Sequence, residues 1–412
     1  MTIKHLSAIG FIFLATSAAW MILGTSLFIR TDQSDTTLRE EVGRNWGTRQ
    51  QQQPPEITAV ERREVEEGGK KKVTTREFSV DVDGSDIQVG LNLEHRQKGL
   101  MWYAVYKSAF TGRYAFHNTS SSPRVFIVRF PFPSSQAIYD DFRMTVVKGG
   151  TWSEEPSPQT TGGRWEERSG MTGKLTAPGG ARIEVEIAYK SQGMESWIYK
   201  FGDGVSQVKN FKLVMNTDFE DIDFPPDTIS PGQKEKTDSG WRLTWAYTSL
   251  LSGVNLGMKP PEKLQPGPIA GRISFFAPVS LLFFILVLLV IGVLKGVPLH
   301  PMHFFFLSGA FFAFHLLMAY LVDQVSLHVA FLLAAVVSLG LVVSYLRRVV
   351  GGHFALAYAG AAQFVYLVLF SYAFFFKGLT GLAITIGAIL TLFVLMQTTA
   401  KVDWDKVFQR KG

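Results

Sequence analysis

Between Phe275 and Gln397 the sequence carries only five formally charged residues, Lys295, Asp323, Arg347, Arg348 and Lys377, whereas from Arg30 to Arg272 charges recur every few residues. A chain that meets one solvent does not segregate charge in this way, so two solvents are implied. A bilayer core requires about 20 apolar residues per helical crossing. Six stretches meet that requirement: Leu6–Ile29, Phe275–Leu294, Met302–Val322, Leu327–Leu346, Phe354–Phe376 and Leu379–Met396. The first follows Lys4 and precedes Arg30. Its apolar run of 24 residues exceeds the apolar region of a signal peptide, about 7–15 residues, and Ala18-Ala19 lie inside it rather than at its end. It reads as an uncleaved anchor.

The formal charge of +6 invites a nucleic-acid partner, and its distribution removes that reading. Arg30–Arg272 holds 32 basic and 32 acidic residues; the rest of the chain holds 9 basic and 3 acidic. The excess therefore sits beside the apolar spans, where the positive-inside rule places it. Threading the six spans with the N-terminus inside puts Lys4, Lys295, Arg347, Arg348, Lys401, Lys406, Arg410 and Lys411 in the cytoplasm and only Lys377 in an outer loop. Both termini are then cytoplasmic. The expected organisation is an anchor (1–29), an extracytoplasmic domain (30–272), a five-helix bundle (273–398) and a cytoplasmic tail (399–412).

Two periodicities divide the external domain. Leu38, Val42 and Trp46 recur at a spacing of four, which predicts an amphipathic helix from Thr36 to about Arg49, ended by the QQQQPP stretch because Pro54 and Pro55 cannot continue it. Beyond it the period becomes two. Ile183, Val185, Ile187 and Tyr189 alternate with Glu184, Glu186 and Ala188, and Trp241, Leu243, Trp245 and Tyr247 alternate with Arg242, Thr244 and Ala246. Phe211–Met215, Val125–Phe130 and Met144–Val147 read as further strands, separated by turns at Lys148-Gly149-Gly150, Pro178-Gly179-Gly180 and Gly202-Asp203-Gly204. The fold class expected is a membrane protein of six transmembrane α-helices, one plus five, with an inserted antiparallel β-sandwich-like domain.

Chemistry is harder to find. The absence of cysteine excludes disulfides, thiolate nucleophiles and Cys-ligated metals. Asp81-Val82-Asp83-Gly84-Ser85-Asp86 looks like a calcium loop, but its glycine stands fourth rather than sixth and Asn92 occupies the place of the bidentate glutamate, so a solvated turn is the better reading. Asp218, Glu220, Asp221 and Asp223 read as an exposed acidic loop. Seven tryptophans of the domain (Trp46, Trp102, Trp152, Trp165, Trp197, Trp241 and Trp245) suggest sugar stacking if exposed, yet Trp241 and Trp245 stand on the apolar side of their strand, where core packing explains them. In the spans, His300, His303 and His353 lie near the cytoplasmic face and His315 deeper, roughly 18 Å from His303 along the helix. They read as interfacial histidines, with a metal or proton site as the alternative. Asp323 falls at an outer loop. Small residues such as Ala357, Gly360, Ala361, Gly381 and Gly387 suit helix packing. Ser308 and His353 suggest a membrane serine protease only weakly. No H-E-x-x-H, P-loop, G-x-S-x-G or intramembrane aspartate pair is present. No enzyme and no cofactor are expected.

At the start of the third span, Leu299-His300-Pro301-Met302 opens a Phe/Leu-rich helix and resembles the L-H-P-x motif of the inner-membrane CreD family, the envelope-integrity proteins of bacteria. Lys401-Val402-Asp403-Trp404, after the last span, is similar to the family's V/I-D-W tail. Val42…Arg44-Asn45-Trp46-Gly47…Gln50 resembles its short helix. The family's G-P-x-hydrophobic stretch is replaced here by the glutamine run and Pro54-Pro55, and the middle of the external domain matches little. The resemblance implies a bacterial inner-membrane protein associated with envelope stress, with no catalytic residues to carry over. His300, Pro301, Asp403 and Trp404 are motif positions, and His303, His315 and His353 are candidate polar residues of the membrane. The partners expected are the lipid bilayer and periplasmic proteins, envelope proteins or cell wall. A transporter or channel component with a histidine-lined path is the alternative.

Overall fold

The computed structural model describes residues 3–67, 70–98, 101–160, 169–202, 206–376 and 378–402. Asp203 and Gly204 of one expected turn, Trp165, Lys377 and the tail from Asp403 onward, including the motif positions Asp403 and Trp404, lie outside them. Two compact units result, one from residues 1–38 and 264–412 with 99–101, the other from 39–98 and 102–263. Among the described residues, six helices are long and apolar enough to cross a membrane.

In the first unit, α1 (Ile3–Trp46), α2 (Pro266–Lys295), α3 (Pro301–Leu321), α4 (Leu327–Val349), α5 (Phe354–Phe375) and α6 (Thr380–Thr399) carry the six spans. Pro266 and Pro301 stand in the first turn of their helices, where a missing N–H leaves nothing unpaired. Gly296, at φ +65°, closes α2 in the left-handed conformation. Arg347 and Arg348 occupy the last turn of α4, where the helix dipole favours cations. The α5 segment is π-helical over Phe354–Gly360 and Phe364–Leu369, a geometry the apolar pattern does not announce. Between these stretches the Gln363 amide donates to Ser338 Oγ at 2.7 Å, which donates to the Ala310 carbonyl at 2.7 Å. That chain ties α3, α4 and α5 together through groups that hydrocarbon would otherwise leave unpaired. By contrast α6 buries only Thr391, which bonds the Tyr366 hydroxyl at 2.8 Å.

Asp323, placed in an outer loop by its sequence, accepts both oxygens' worth of bonds from the Arg30 guanidinium, at 2.7 and 2.9 Å. Both contacts come from one guanidinium nitrogen, Nη2. Both side chains keep solvent exposure (46% and 27%), so the pair contributes roughly 1 kcal/mol. Arg30→Ala should lower the melting temperature of the detergent-purified protein, and the exchange Arg30→Asp with Asp323→Arg should recover part of the loss. Single variants that melt like the parent would remove the pair from the account.

The second unit is built from sixteen strands: β1 (Gln50–Gln52), β2 (Glu56–Glu67), β3 (Lys70–Val80), β4 (Gly84–Lys98), β5 (Met101–His117), β6 (Arg124–Pro131), β7 (Tyr139–Lys148), β8 (Thr151–Thr160), β9 (Ser169–Ala177), β10 (Arg182–Met194), β11 (Trp197–Tyr199), β12 (Ser206–Thr217), β13 (Thr228–Ile229), β14 (Gln233–Lys236), β15 (Trp241–Ser252) and β16 (Asn255–Met258). They form a seven-stranded sheet ordered β14-β15-β12-β4-β5-β10-β7, a five-stranded sheet ordered β3-β2-β6-β9-β8 and a small sheet ordered β1-β11-β16-β13. One core joins all three. Ile57, Phe126 and Leu175 from the five-stranded sheet meet Ile87, Ile187 and Leu213 from the large one, with Tyr199 and Met258 from the small one. Alternate residues of β6 and β10 fill that core, as period two requires.

Two expectations need correction. The pairing is not wholly antiparallel, since β4–β12, β1–β11 and β13–β16 run parallel. These strands are joined by long excursions through other sheets rather than by hairpins, and only hairpins enforce antiparallel neighbours. The amphipathic helix is also not a separate element ending near Arg49. It is the end of α1, which stops at Trp46 because Gly47 adopts φ +95° and bonds back to the Gly43 carbonyl at 2.9 Å. The glutamine run, instead of merely breaking a helix, forms β1 in register with Trp197–Tyr199.

Candidate functional site

The motif at the head of α3 has a local mechanical role. His300 is the N-cap, and its Nδ1 accepts from the Met302 amide at 3.3 Å while Pro301 takes the first helical position. His303 bonds the Tyr345 hydroxyl through Nδ1 at 2.7 Å. The His5 and His300 rings stand 5.5 Å apart and the His300 and His303 rings 6.3 Å. Sequence reasoning missed His5, because 295 residues separate it from His300 and only the packing of α1 brings them together. His353 packs on Tyr358 instead. His315 is buried between Trp20, Phe311 and Phe314, with Nδ1 3.1 Å from the Phe311 carbonyl. Among the described residues no three His, Asp or Glu side chains gather as a metal centre.

The external unit contains a cleft of about 460 Å³ lined by Asn92, Lys107–Ala109, Ile138–Asp140 and Lys190–Gln192. Strand register builds it: Lys107 stands opposite Gln192, Ser108 opposite Ser191 and Ala109 opposite Lys190. Its floor is fixed from behind by Gln50. The buried Gln50 amide donates to Ser191 Oγ at 2.8 Å and to the Gln192 carbonyl at 3.0 Å, and accepts from Ser108 Oγ at 3.1 Å. Tyr189 donates similarly to buried Gln52 at 2.7 Å. Alternation in β1 therefore turns two glutamines of the run inward, into a polar network inside an aromatic core.

The rim is charged in pairs. Lys107 binds Glu94 at 2.7 Å and Lys190 binds Asp141 at 2.6 Å. Lys107, then Arg96, hold the Glu94 carboxyl below its ordinary range, and Lys190 does the same for Asp141. A carboxylate with a depressed folded pKa adds stability above its unfolded pKa and loses it as pH falls through the folded one. The rim pairs thus persist at neutral pH and break only in acid. Burial pushes the Tyr139 phenol up, so it stays a neutral donor and acceptor. What remains to meet a ligand is the Asn92 and Gln192 amides, the exposed Asp140 carboxylate and the exposed Ile138. This is a surface for a hydrogen-bonding partner.

It is poor ground for catalysis. Ser108 is bonded to Gln50 and to the Ser191 carbonyl, and Ser191 donates to the Ile138 carbonyl at 3.0 Å, so neither hydroxyl meets a base. His117 and Asp83 pair at 2.7 Å with no hydroxyl nucleophile attached among the described residues. In the expected acidic clusters, Asp218 accepts from the Leu93 amide at 2.8 Å and Glu220 pairs with Lys236 at 3.1 Å. Of the tryptophans, Trp197 and Trp245 are fully buried, while Trp46 lies 4.0 Å beneath the Arg96 guanidinium and Trp102 3.9 Å beneath the Lys263 ammonium.

No curated protein matches the chain. Among solved structures, a Legionella pneumophila protein described as nutrient-binding is similar at 11% identity over 57% of this chain and 75% of that one, with a TM-score of 0.29. An M1 zinc metallopeptidase from Deinococcus radiodurans is similar at 9% identity over 44% of this chain and 42% of that one, with a TM-score of 0.22. Both scores are too low for a shared fold to be read from them. Residues 270–405 match the family model described as Inner membrane protein CreD, the stretch that holds the His300-Pro301 motif and five of the six apolar helices. Over this segment, about a third of its length, the chain is similar to the CreD family of inner membrane proteins.

Proposed function

We propose that this chain is a non-enzymatic inner-membrane protein that supports envelope integrity or the response to envelope stress, with its β-rich unit outside the cytoplasm and both termini inside. The observation that carries the reading is the cleft at Lys107–Ala109 and Lys190–Gln192: it offers hydrogen-bonding groups and, among the described residues, no activated nucleophile. Such a surface binds without reacting. It suits a periplasmic protein or cell-wall segment rich in amides and hydroxyls, held against a membrane anchor. The match to the CreD model supports the inner-membrane setting, and the charge asymmetry of the inter-span loops supports the orientation.

The test is genetic and uses the whole chain. Deletion in the native host should raise sensitivity to a cell-wall-active antibiotic, and the parent chain should restore resistance. Ala109→Trp, which fills the cleft from its exposed floor, should reach the membrane at parental level and fail to restore. Unchanged sensitivity after deletion would overturn the envelope role; full restoration by Ala109→Trp would overturn the cleft's part in it.

A further inference from the structure

Serine and threonine in an apolar helix commonly bond a carbonyl one turn back, and several residues of the spans here do so. Thr16 donates to the Ile12 carbonyl at 2.6 Å, Thr385 to Gly381 at 2.9 Å, Thr391 to Gly387 at 2.7 Å and Thr399 to Leu395 at 2.6 Å. Three serines depart from that habit. Ser17, Ser280 and Ser308 have buried hydroxyls without a partner, and so does the indole N–H of Trp20. Trp20 and Ser308 are completely buried and Ser280 nearly so.

These groups sit around one contact. The Trp20 ring meets Phe311 at 6.0 Å, Phe312 at 5.3 Å and His315 at 5.5 Å, and Phe284 meets Phe311 at 5.3 Å. On α3, Ser308, Phe311 and His315 follow at i, i+3 and i+7, one face of the helix. Ser17 precedes Trp20 by about a turn on α1, and Ser280 precedes Phe284 by about a turn on α2. With about 5.4 Å per turn, all the unpartnered groups fall within about one turn of the Trp20–Phe311–Phe284 contact. The His315 imidazole packs on the Trp20 ring beside them. A carbonyl only accepts, so Nδ1 of His315 carries the hydrogen toward Phe311, and Nε2 is left as an acceptor.

We propose that the seam between α1, α2 and α3 is a buried binding site for water, held inside the apolar bundle by Ser17, Trp20, Ser280, Ser308 and His315. In hydrocarbon surroundings each unpaired polar group is strongly unfavourable, and four gather within about a turn of one aromatic contact. The donor set selects the ligand. An indole N–H only donates, an imidazole nitrogen accepts and hydroxyls do both, which suits a small molecule that also does both. No carboxylate of the described spans is there to hold a cation, because Asp323 is taken by Arg30 at the outer end. No lysine or arginine is there for an anion. The site uses none of the residues of the external cleft, so its failure would leave the envelope role untouched.

The full-length chain in bilayers, labelled with ¹⁵N at tryptophan, gives a direct readout by water-edited solid-state NMR, with Trp20 assigned from its loss in Trp20→Phe. The Trp20 indole should receive water magnetisation severalfold faster than that of Trp245, which is equally buried and bonds the Ile229 carbonyl at 2.8 Å. Ser308→Ala, a mild change that does not threaten folding, should lower the melting temperature by roughly 2 °C, since it removes a partner of bound water. Build-up at Trp20 as slow as at Trp245 would overturn the proposal. So would a melting temperature that holds or rises in Ser308→Ala, the sign expected when an orphan hydroxyl is deleted from a dry seam.

Discussion

Gly47→Ala is expected to destabilise the protein by roughly 3 kcal/mol or more. Gly47 combines φ +95° with a close approach: a Cβ built there would stand 2.1 Å from the Gln192 carbonyl oxygen. Backbone cannot yield as a side-chain tip does. The neighbours raise the stakes, because the chain turns at Gly47 into β1 and must deliver Gln50 to Ser108, Ser191 and Gln192 within three residues. Gly180→Ala is the control. Gly180 also has positive φ, at +71°, but nothing stands within 4 Å of its added methyl, so only about 1 kcal/mol of conformational strain is expected. Thermal unfolding of the two purified variants decides the matter, and equal losses would show that the contact with Gln192 is not what makes Gly47 necessary.

The second large effect separates two tryptophans four residues apart. Trp245 is fully buried in the aromatic core and donates to the Ile229 carbonyl at 2.8 Å. Trp245→Ala should cost about 3–5 kcal/mol, the range of large core truncations. Trp241 lies on the same side of β15 but near the strand's start, half-exposed, with Lys234 4.1 Å above its ring and its N–H on the Glu220 carbonyl. Trp241→Ala should cost about 1 kcal/mol, the scale of an exposed cation–π contact with one hydrogen bond. Comparable losses at both positions would mean that strand alternation misjudges the depth of this core.

That pair marks how far the sequence reaches. Alternation identified the inward side of β15 and the core residues of β10 because burial on one face imposes period two wherever a sheet packs. Apolar length and flanking charge located the six spans for an equally general reason. What escaped depends on partners remote in the chain. Nothing local distinguishes Gln50 and Gln52 from a polar linker; they become core residues only when β1 pairs with β11 and meets Ser108, Ser191 and Tyr189. Asp323 looked like an ordinary loop acid until Arg30, far away in sequence, was brought against it. The parallel pairing of β4 with β12 was invisible for the same reason. The first turn at Pro301 and the cap at His300 are set locally, because helix starts are decided within a few residues. The cleft is not, since its walls come from β4, β5, β10 and the approach to β7.

Orientation across the membrane is the premise on which the envelope role rests, and the cysteine-free sequence makes it directly measurable. Single cysteines at two exposed positions, Ser135→Cys in the β-rich unit and Arg348→Cys at the end of α4, report the two sides to a membrane-impermeant maleimide applied to spheroplasts. The account predicts that Ser135→Cys is labelled in intact spheroplasts and that Arg348→Cys is labelled only after lysis. Protection of Ser135→Cys, or labelling of Arg348→Cys before lysis, would contradict it.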